Sequence, residues 1–181
     1  MPLEAHRYQR DLIREARFTW GMAAPIAAFA AQVHQESGWR PGARSRYAAG
    51  LAQFTPDTAQ WIAGLDPELA ANQPLDPRWA LRALVRYDRR LWERVTGADG
   101  CERMAKTLAA YNGGPGHITR EERAAHAAGA DPARWFGHVE RHCLRARWAC
   151  AENRAYPRRI LTGLQPLYLS WGPGVDCNGI A

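Results

Sequence analysis

A carboxylic acid placed where a helix must stop is the first feature that chemistry could use. Residues 25–36 read Pro-Ile-Ala-Ala-Phe-Ala-Ala-Gln-Val-His-Gln-Glu, and Glu36 closes this apolar run just before Ser37-Gly38. A carboxylate there meets the negative end of the helix dipole, which disfavours ionisation. Burial beside Phe29 and Trp39 would act in the same direction. Both effects favour the protonated carboxyl that a general acid requires. A glutamate at a frayed, solvated helix end is the competing reading, and the local sequence leaves both open.

Other catalytic patterns are incomplete. His34-x-Glu36 begins a zinc-deaminase signature whose Pro-Cys-x-x-Cys half is missing. There is no His-Glu-x-x-His and no Gly-x-Ser-x-Gly. No metal site and no cofactor are expected. Between Glu36 and Gln53 there is no second acid, and the next, Asp57, belongs to a helix start. Hydrolysis of a glycoside ordinarily uses two carboxylates. One carboxyl alone fits an intramolecular displacement better than attack by water.

The elements that must position Glu36 read as helices. Tyr8–Phe18 is a first helix. In 25–36, Ile26, Phe29, Ala30 and Val33 recur at the helical period, with Pro25 in the first turn and Gly38 at the stop. Residues 39–54 read as a long loop, with room for a small hairpin. Thr55-Pro56-Asp57 and Asp76-Pro77 are helix starts. In the helix after Asp76, Ala80, Leu84, Tyr87, Leu91 and Val95 form a core stripe, and Arg78, Arg82, Arg86, Arg89 and Arg90 form a solvated face. Another helix spans Cys101 to Asn112. Thr119 and Glu122 form a capping box that starts the next. Asp131-Pro132 opens one more, to about Leu144. The last runs from Asn153 to Leu169, interrupted by Pro157 and Pro166. No segment alternates like a strand. The fold class is all-α, one domain over 1–181 with its motif-bearing core at about 20–170.

The chain has 181 residues, 46% hydrophobic and 23% charged, which excludes a disordered chain or a polytopic membrane protein. Its net charge is +6 and Lys106 is its one lysine. That arginine excess suits anionic partners, or only a solvated basic surface. No apolar run reaches the ~18–20 residues of a membrane span. Cys101, Cys143, Cys150 and Cys177 contain no Cys-x-x-Cys pair. They are either free buried thiols or disulfides, in which case Cys143 and Cys150 close a short loop and leave Cys101 and Cys177 to pair.

Four segments carry a resemblance to a known family. His34-Gln35-Glu36-Ser37-Gly38-Trp39-Arg40-Pro41 resembles the Glu-Ser-x-aromatic-x-Pro segment of soluble lytic transglycosylases. Residues 50–59, Gly-Leu-Ala-Gln-Phe-Thr-Pro-Asp-Thr-Ala, resemble their Gly-Leu-Met-Gln-x-x-Pro-x-Thr-Ala. Ala109-Ala110-Tyr111-Asn112-Gly113-Gly114-Pro115-Gly116 resembles their Ala-Tyr-Asn-x-Gly-Pro-Gly with one small shift. Glu152-Asn153-Arg154-Ala155-Tyr156-Pro157 is similar to their Glu-Thr-Arg-x-Tyr-Val. Ala52 replaces a methionine, which trims an apolar wall of the sugar groove. Pro157 replaces a valine, which would delay the start of the last helix.

The resemblance implies a lysozyme-like (goose-type) helical domain acting on peptidoglycan. Glu36 would be the single catalytic acid and base. Ser37, Gln53, Tyr111, Asn112 and Tyr156 would bind substrate or orient Glu36. At the level of the residues, Ser37 could equally be a turn residue, Tyr111 a core residue and Asn112 a helix cap. The expected reaction breaks the β-1,4 bond between N-acetylmuramic acid and N-acetylglucosamine and leaves a 1,6-anhydro ring. A muramidase of the same fold, or a non-catalytic basic wall-binding protein, is the alternative. The expected partner is the peptidoglycan glycan strand, with no nucleic acid and no membrane span, for a monomer. A substrate outside the cytoplasm favours at least one disulfide, Cys143–Cys150 first. Because no export signal is visible before Glu36, the expected setting is the periplasm or wall, reached as a holin-released phage endolysin or after loss of an export signal.

Overall fold

The helix starts are written in side chains that accept a backbone N–H. Thr55 caps the helix that follows it by accepting from the Thr58 amide. Asp76 accepts from Trp79 at 2.8 Å, and Asp99 from Glu102 at 2.9 Å. Each satisfies an amide that the first turn otherwise leaves unpaired. The computed structural model describes residues 1–180 and is all-α, with no strand beyond isolated bridges among these residues. Its helices are α1 (Ala5–Trp20), α2 (Ile26–Ser37), α3 (Pro56–Leu65), α4 (Pro77–Arg94), α5 (Gly100–Gly113), α6 (Pro115–Ala127) and α7 (Arg147–Arg158). None is long and apolar enough to cross a membrane. The chain forms two compact units, 1–87 with 164–174, and 88–163 with the residues from Val175 on.

In the first unit α2 is buried on every side. Ile26 through Val33 are all inaccessible to solvent or nearly so. A helix apolar all round belongs inside a core, and its alanines let neighbours approach closely. Its first turn is tied to the 164–174 segment, where the Pro173 carbonyl accepts from the Ala27 amide at 2.9 Å. Trp39 and Tyr168 each meet Trp171 edge to face near the end of α2 and are tilted to one another, and Tyr8 of α1 stacks on Trp39. Across α1 and α4, Arg82 pairs with the buried Glu15, and Arg86 pairs with Asp66 and Glu68. The expected solvated arginine face is thus corrected: only its ends, Arg78 and Arg90, are fully exposed.

The second unit contains buried charges. Lys106 of α5 is fully buried, and its ammonium donates to the Thr96 and Pro132 carbonyls and to Glu122. Glu102, one turn earlier, accepts from the Trp135 and Phe136 amides at 2.7 and 3.1 Å. These bonds explain a correction. Residues 131–144 are turns with a 3₁₀ segment at Val139–Arg141, not a helix. Asp131 does cap a turn, accepting from the Ala133 amide, but side chains of α5 then take the backbone groups a helical ladder would need.

Two more boundaries differ from expectation. α6 starts at Pro115, with Gly114 at its N-cap, and Thr119 lies inside it, donating to the Pro115 carbonyl. α7 starts earlier than expected, at Arg147, and Pro157 lies within it. Proline there has no amide to donate and crowds the carbonyl four residues back. The chain passes directly into a π-helical turn at Arg159–Leu164. Two disulfides, Cys143–Cys150 and Cys101–Cys177, close within this unit.

Candidate active site

Glu36 occupies the last turn of α2, half-buried. The helix stops at Gly38, whose amide bonds back to the His34 carbonyl. The Arg40 guanidinium then donates to the Ser37 carbonyl at 3.0 Å. A cation on the last carbonyls opposes the negative end of the dipole. Ser37 is buried, and its hydroxyl donates to the Val33 carbonyl one turn back. The aromatic rings expected to shield Glu36 are themselves buried. Phe29 packs on Trp20, and Trp39 packs in the aromatic group at Tyr168.

His34, two residues before Glu36, ends a polar chain that the sequence does not disclose. The Trp39 indole donates to the Tyr168 hydroxyl at 2.8 Å, and that hydroxyl lies 3.0 Å from Nδ1 of His34. The Tyr168 oxygen accepts from Trp39 and keeps a second lone pair, so the contact with Nδ1 takes its direction from the His34 tautomer; with the proton on Nε2, Nδ1 accepts the hydroxyl hydrogen. Burial pushes the Tyr168 hydroxyl up to about 12. Burial lowers His34, and the positive N-terminus adds to this.

Gln53 sits in the loop between α2 and α3. That loop is cross-braced by bridges at Arg44–Ala49 and Ala49–Phe54. Gly50 adopts φ +82°, and a Cβ there would stand 1.8 Å from the Pro74 carbonyl oxygen, so only glycine fits. Gln53 itself has φ +47°. Its amide nitrogen donates to the Ala43 and Gly50 carbonyls at 3.1 and 2.9 Å, which fixes the orientation of the group. Both hydrogens are used, so Gln53 offers outside ligands an acceptor oxygen. Ala52 is fully buried. A cleft of about 960 Å³ opens beside this loop, lined by residues including Arg44, Arg46, Tyr47, Asp57, Gln60 and Asn72. Neither Glu36 nor Gln53 lines it.

The remaining candidates lie in the second unit. Tyr111 and Asn112 are half-buried in the last turn of α5, while Tyr156 of α7 is buried. Asn112 receives a 2.8 Å hydrogen bond from Asn153, and its own amide nitrogen lies 3.5 Å from Glu152. Tyr168 and Arg145 carry no catalytic signal in the sequence, whereas His34 stands only in the incomplete zinc-deaminase pattern and Asn153 only in the Glu152–Pro157 segment.

The class these features define is the all-α, lysozyme-like domain whose acid ends a buried helix. A family profile described as the transglycosylase SLT domain matches residues 11–133. The chain belongs to that family. Among curated relatives, it is 34% identical over 122 residues to the membrane-bound lytic murein transglycosylase F of Vibrio cholerae, covering 66% of this chain and 21% of that protein. It is 34% identical over 138 residues to the protein of the same name from Marinobacter nauticus, covering 72% and 24%. The chain thus spans about a fifth to a quarter of the length of these relatives. Glu36, Gln53, Tyr111 and Asn112 lie inside the matched residues, and Arg145, Asn153 and Tyr156 lie beyond them.

Proposed function

We propose that this domain is a peptidoglycan lytic transglycosylase that cleaves the β-1,4 bond between N-acetylmuramic acid and N-acetylglucosamine. The observation that carries the reading is the family match together with Glu36 at the end of α2, followed by sixteen residues, 37–52, without another acid. Glu36 first gives its proton to the glycosidic oxygen as the bond to C1 breaks. The substrate's own 2-acetamido carbonyl stabilises C1. The Glu36 carboxylate then takes the proton of the C6 hydroxyl, whose oxygen closes onto C1. The carboxyl is restored, no water is consumed, and the product ends in a 1,6-anhydro ring.

In this reading Gln53 accepts from a sugar hydroxyl or amide, and Asn112 and Tyr111 bind the glycan. Ser37 fixes the helix end that carries Glu36, and the family resemblance gives Tyr156 the role of orienting the acid. The domain works in the wall or periplasm, as a monomer on peptidoglycan strands. Its relatives' printed name, lytic murein transglycosylase, supports the reading.

The test is Glu36→Gln on purified peptidoglycan, with products resolved by mass spectrometry. The wild type should release muropeptides one water lighter than hydrolysis products. The variant should fold and lose activity by several orders of magnitude. A soluble Glu36→Gln protein with a tenth of wild-type activity would sink the assignment. Reducing-end products would instead assign a muramidase and direct attention to Asp57 and Glu152 as water-holding acids.

A further inference from the structure

A chain of hydrogen bonds with a fixed direction runs through the second unit and ends on Asn112. It begins at Glu121 of α6, a fully buried carboxylate. Arg145 reaches it with Nε at 2.9 Å and Nη2 at 3.2 Å. Nη2 of Arg145 also donates to Oδ1 of Asn153 at 2.7 Å. Nδ2 of Asn153 donates to the Ala109 carbonyl and to Oδ1 of Asn112, both at 2.8 Å.

The polarity of each link is forced. A guanidinium has only donors, so it can meet only the oxygen of the Asn153 amide. Both hydrogens of Asn153 must then face the two remaining acceptors. Asn112 must in turn offer its oxygen inward and its amide nitrogen outward. The Ala109 carbonyl, which can only accept, sets Asn153 in the same sense, so guanidinium and carbonyl together hold an amide that alone could sit either way round.

We infer that Arg145 is a positioning residue which, through Asn153, holds Asn112 so that it presents an N–H rather than a carbonyl to an acceptor oxygen of the ligand, such as the acetamido carbonyl of an N-acetylated sugar, the same nitrogen lying 3.5 Å from Glu152. This rests on the reading of Asn112 as a glycan contact. Two further observations support it. A Cβ on Gly113, the residue after Asn112, would stand 2.2 Å from Nη1 of Arg145 and 2.8 Å from Nδ2 of Asn153. The first glycine of Gly113-Gly114-Pro115-Gly116 is thus not merely a helix breaker: Gly113 is helical, and its missing side chain is the space the guanidinium crosses. Arg145 also lies inside the loop closed by Cys143–Cys150, with the Cys150 sulfur 3.4 Å from its carbonyl oxygen. A disulfide sulfur has no hydrogen to donate, so this is a packing contact that holds the loop against its own arginine.

Arg145→Ala alone would strand the buried Glu121 carboxylate and could unfold the unit. Two other variants of the full chain avoid this. Gly113→Ala leaves every charge in place and puts a methyl where the guanidinium passes and against the Asn153 amide nitrogen. Glu121→Gln with Arg145→Gln removes both charges together. In each, the Asn112 and Asn153 side-chain amide resonances should move in a two-dimensional nitrogen–proton spectrum recorded without ligand. On soluble glycan strands from peptidoglycan, KM should rise about tenfold, the equivalent of one lost hydrogen bond, with kcat within about twofold. Asn112→Asp, which keeps the inward acceptor and loses the outward donor, should show the same split.

Unmoved Asn112 resonances in both variants would overturn the inference. So would kcat falling in step with the folded fraction while KM holds, or Asn112→Asp binding glycan normally. If those results came from a protein that Glu36→Gln still inactivates, the transglycosylase reading would stand without Arg145's role. If the wild type cleaved no glycan, that reading would fail, and the ligand-free spectra would still decide whether Arg145 orders Asn112.

Discussion

The Tyr168 hydroxyl has one hydrogen, and Trp39 and His34 decide where it goes. A neutral His34 with its proton on Nε2 takes that hydrogen at Nδ1, while the indole donates to the oxygen. Protonating His34 puts a hydrogen on Nδ1, so the hydroxyl must turn its own hydrogen away from that contact. Burial and the nearby N-terminal charge already hold His34 below its ordinary range. The sign follows from linkage. The unfolded chain takes up the proton first as pH falls through about 6.5, so it binds more protons than the folded state there. Stability should therefore be full above that range, decline as pH drops through it, and level off once the folded histidine also protonates. His34→Asn keeps an acceptor near the Nδ1 position and cannot titrate. Its melting temperature should fall less between pH 7 and 5 than that of the wild type, measured by circular dichroism. His117, held low by burial and by Arg120 and Arg145, accounts for part of the slope that remains. Equal slopes would mean that the His34 pairing carries no stability.

At the scale of elements, the two disulfides close loops of very different size. Cys143–Cys150 spans a sequence separation of 7, and Cys101–Cys177 spans 76. Loop-closure entropy assigns them roughly 2.5 and 4.5 kcal/mol. Replacing Cys101 and Cys177 by serine should lower the urea midpoint more than replacing Cys143 and Cys150. The reverse order would show that native contacts, such as those of the Arg145 loop, outweigh chain entropy. The same contrast between local and distant causes explains which elements the sequence disclosed. The starts of α3, α4 and α5 depend on side chains within three residues, so they are legible in a short window. The segment 131–144 has an equally good opening in Asp131-Pro132, yet it is not helical. Its backbone is claimed by Glu102 and Lys106, some thirty residues away, and no local propensity reports that. The arginines of α4 looked solvated for the same reason, because Glu15, Asp66 and Glu68 lie far from them in sequence.

For the whole molecule, the candidate site divides along that line too. Glu36, Gln53 and Asn112 stand in short motifs whose spacing can be read directly; the groups that orient Gln53 lie within ten residues of it, whereas those that orient Asn112 come from about forty residues away. Arg145 has no signal of its own, and Gly113 betrays it only once the guanidinium is seen crossing the empty Cβ position. The reaction proposed for the assembled domain carries a demand that none of these residues alone would make. If the C6 hydroxyl of muramic acid is the nucleophile, the substrate must supply it free. Peptidoglycan O-acetylated at C6 has no hydrogen there for Glu36 to remove, so it should resist the enzyme, and mild alkaline de-O-acetylation should restore digestion. A water-using enzyme could be slowed by the same acetyl group through steric bulk alone, so resistance by itself does not separate the two. The products do: strands cut at unmodified residues should end in anhydro rings and carry no reducing end. Digestion of fully O-acetylated wall at the unmodified rate, with reducing-end products, would show that water is the nucleophile. The residue holding that water would then have to come from outside residues 37–52, where no second acid exists.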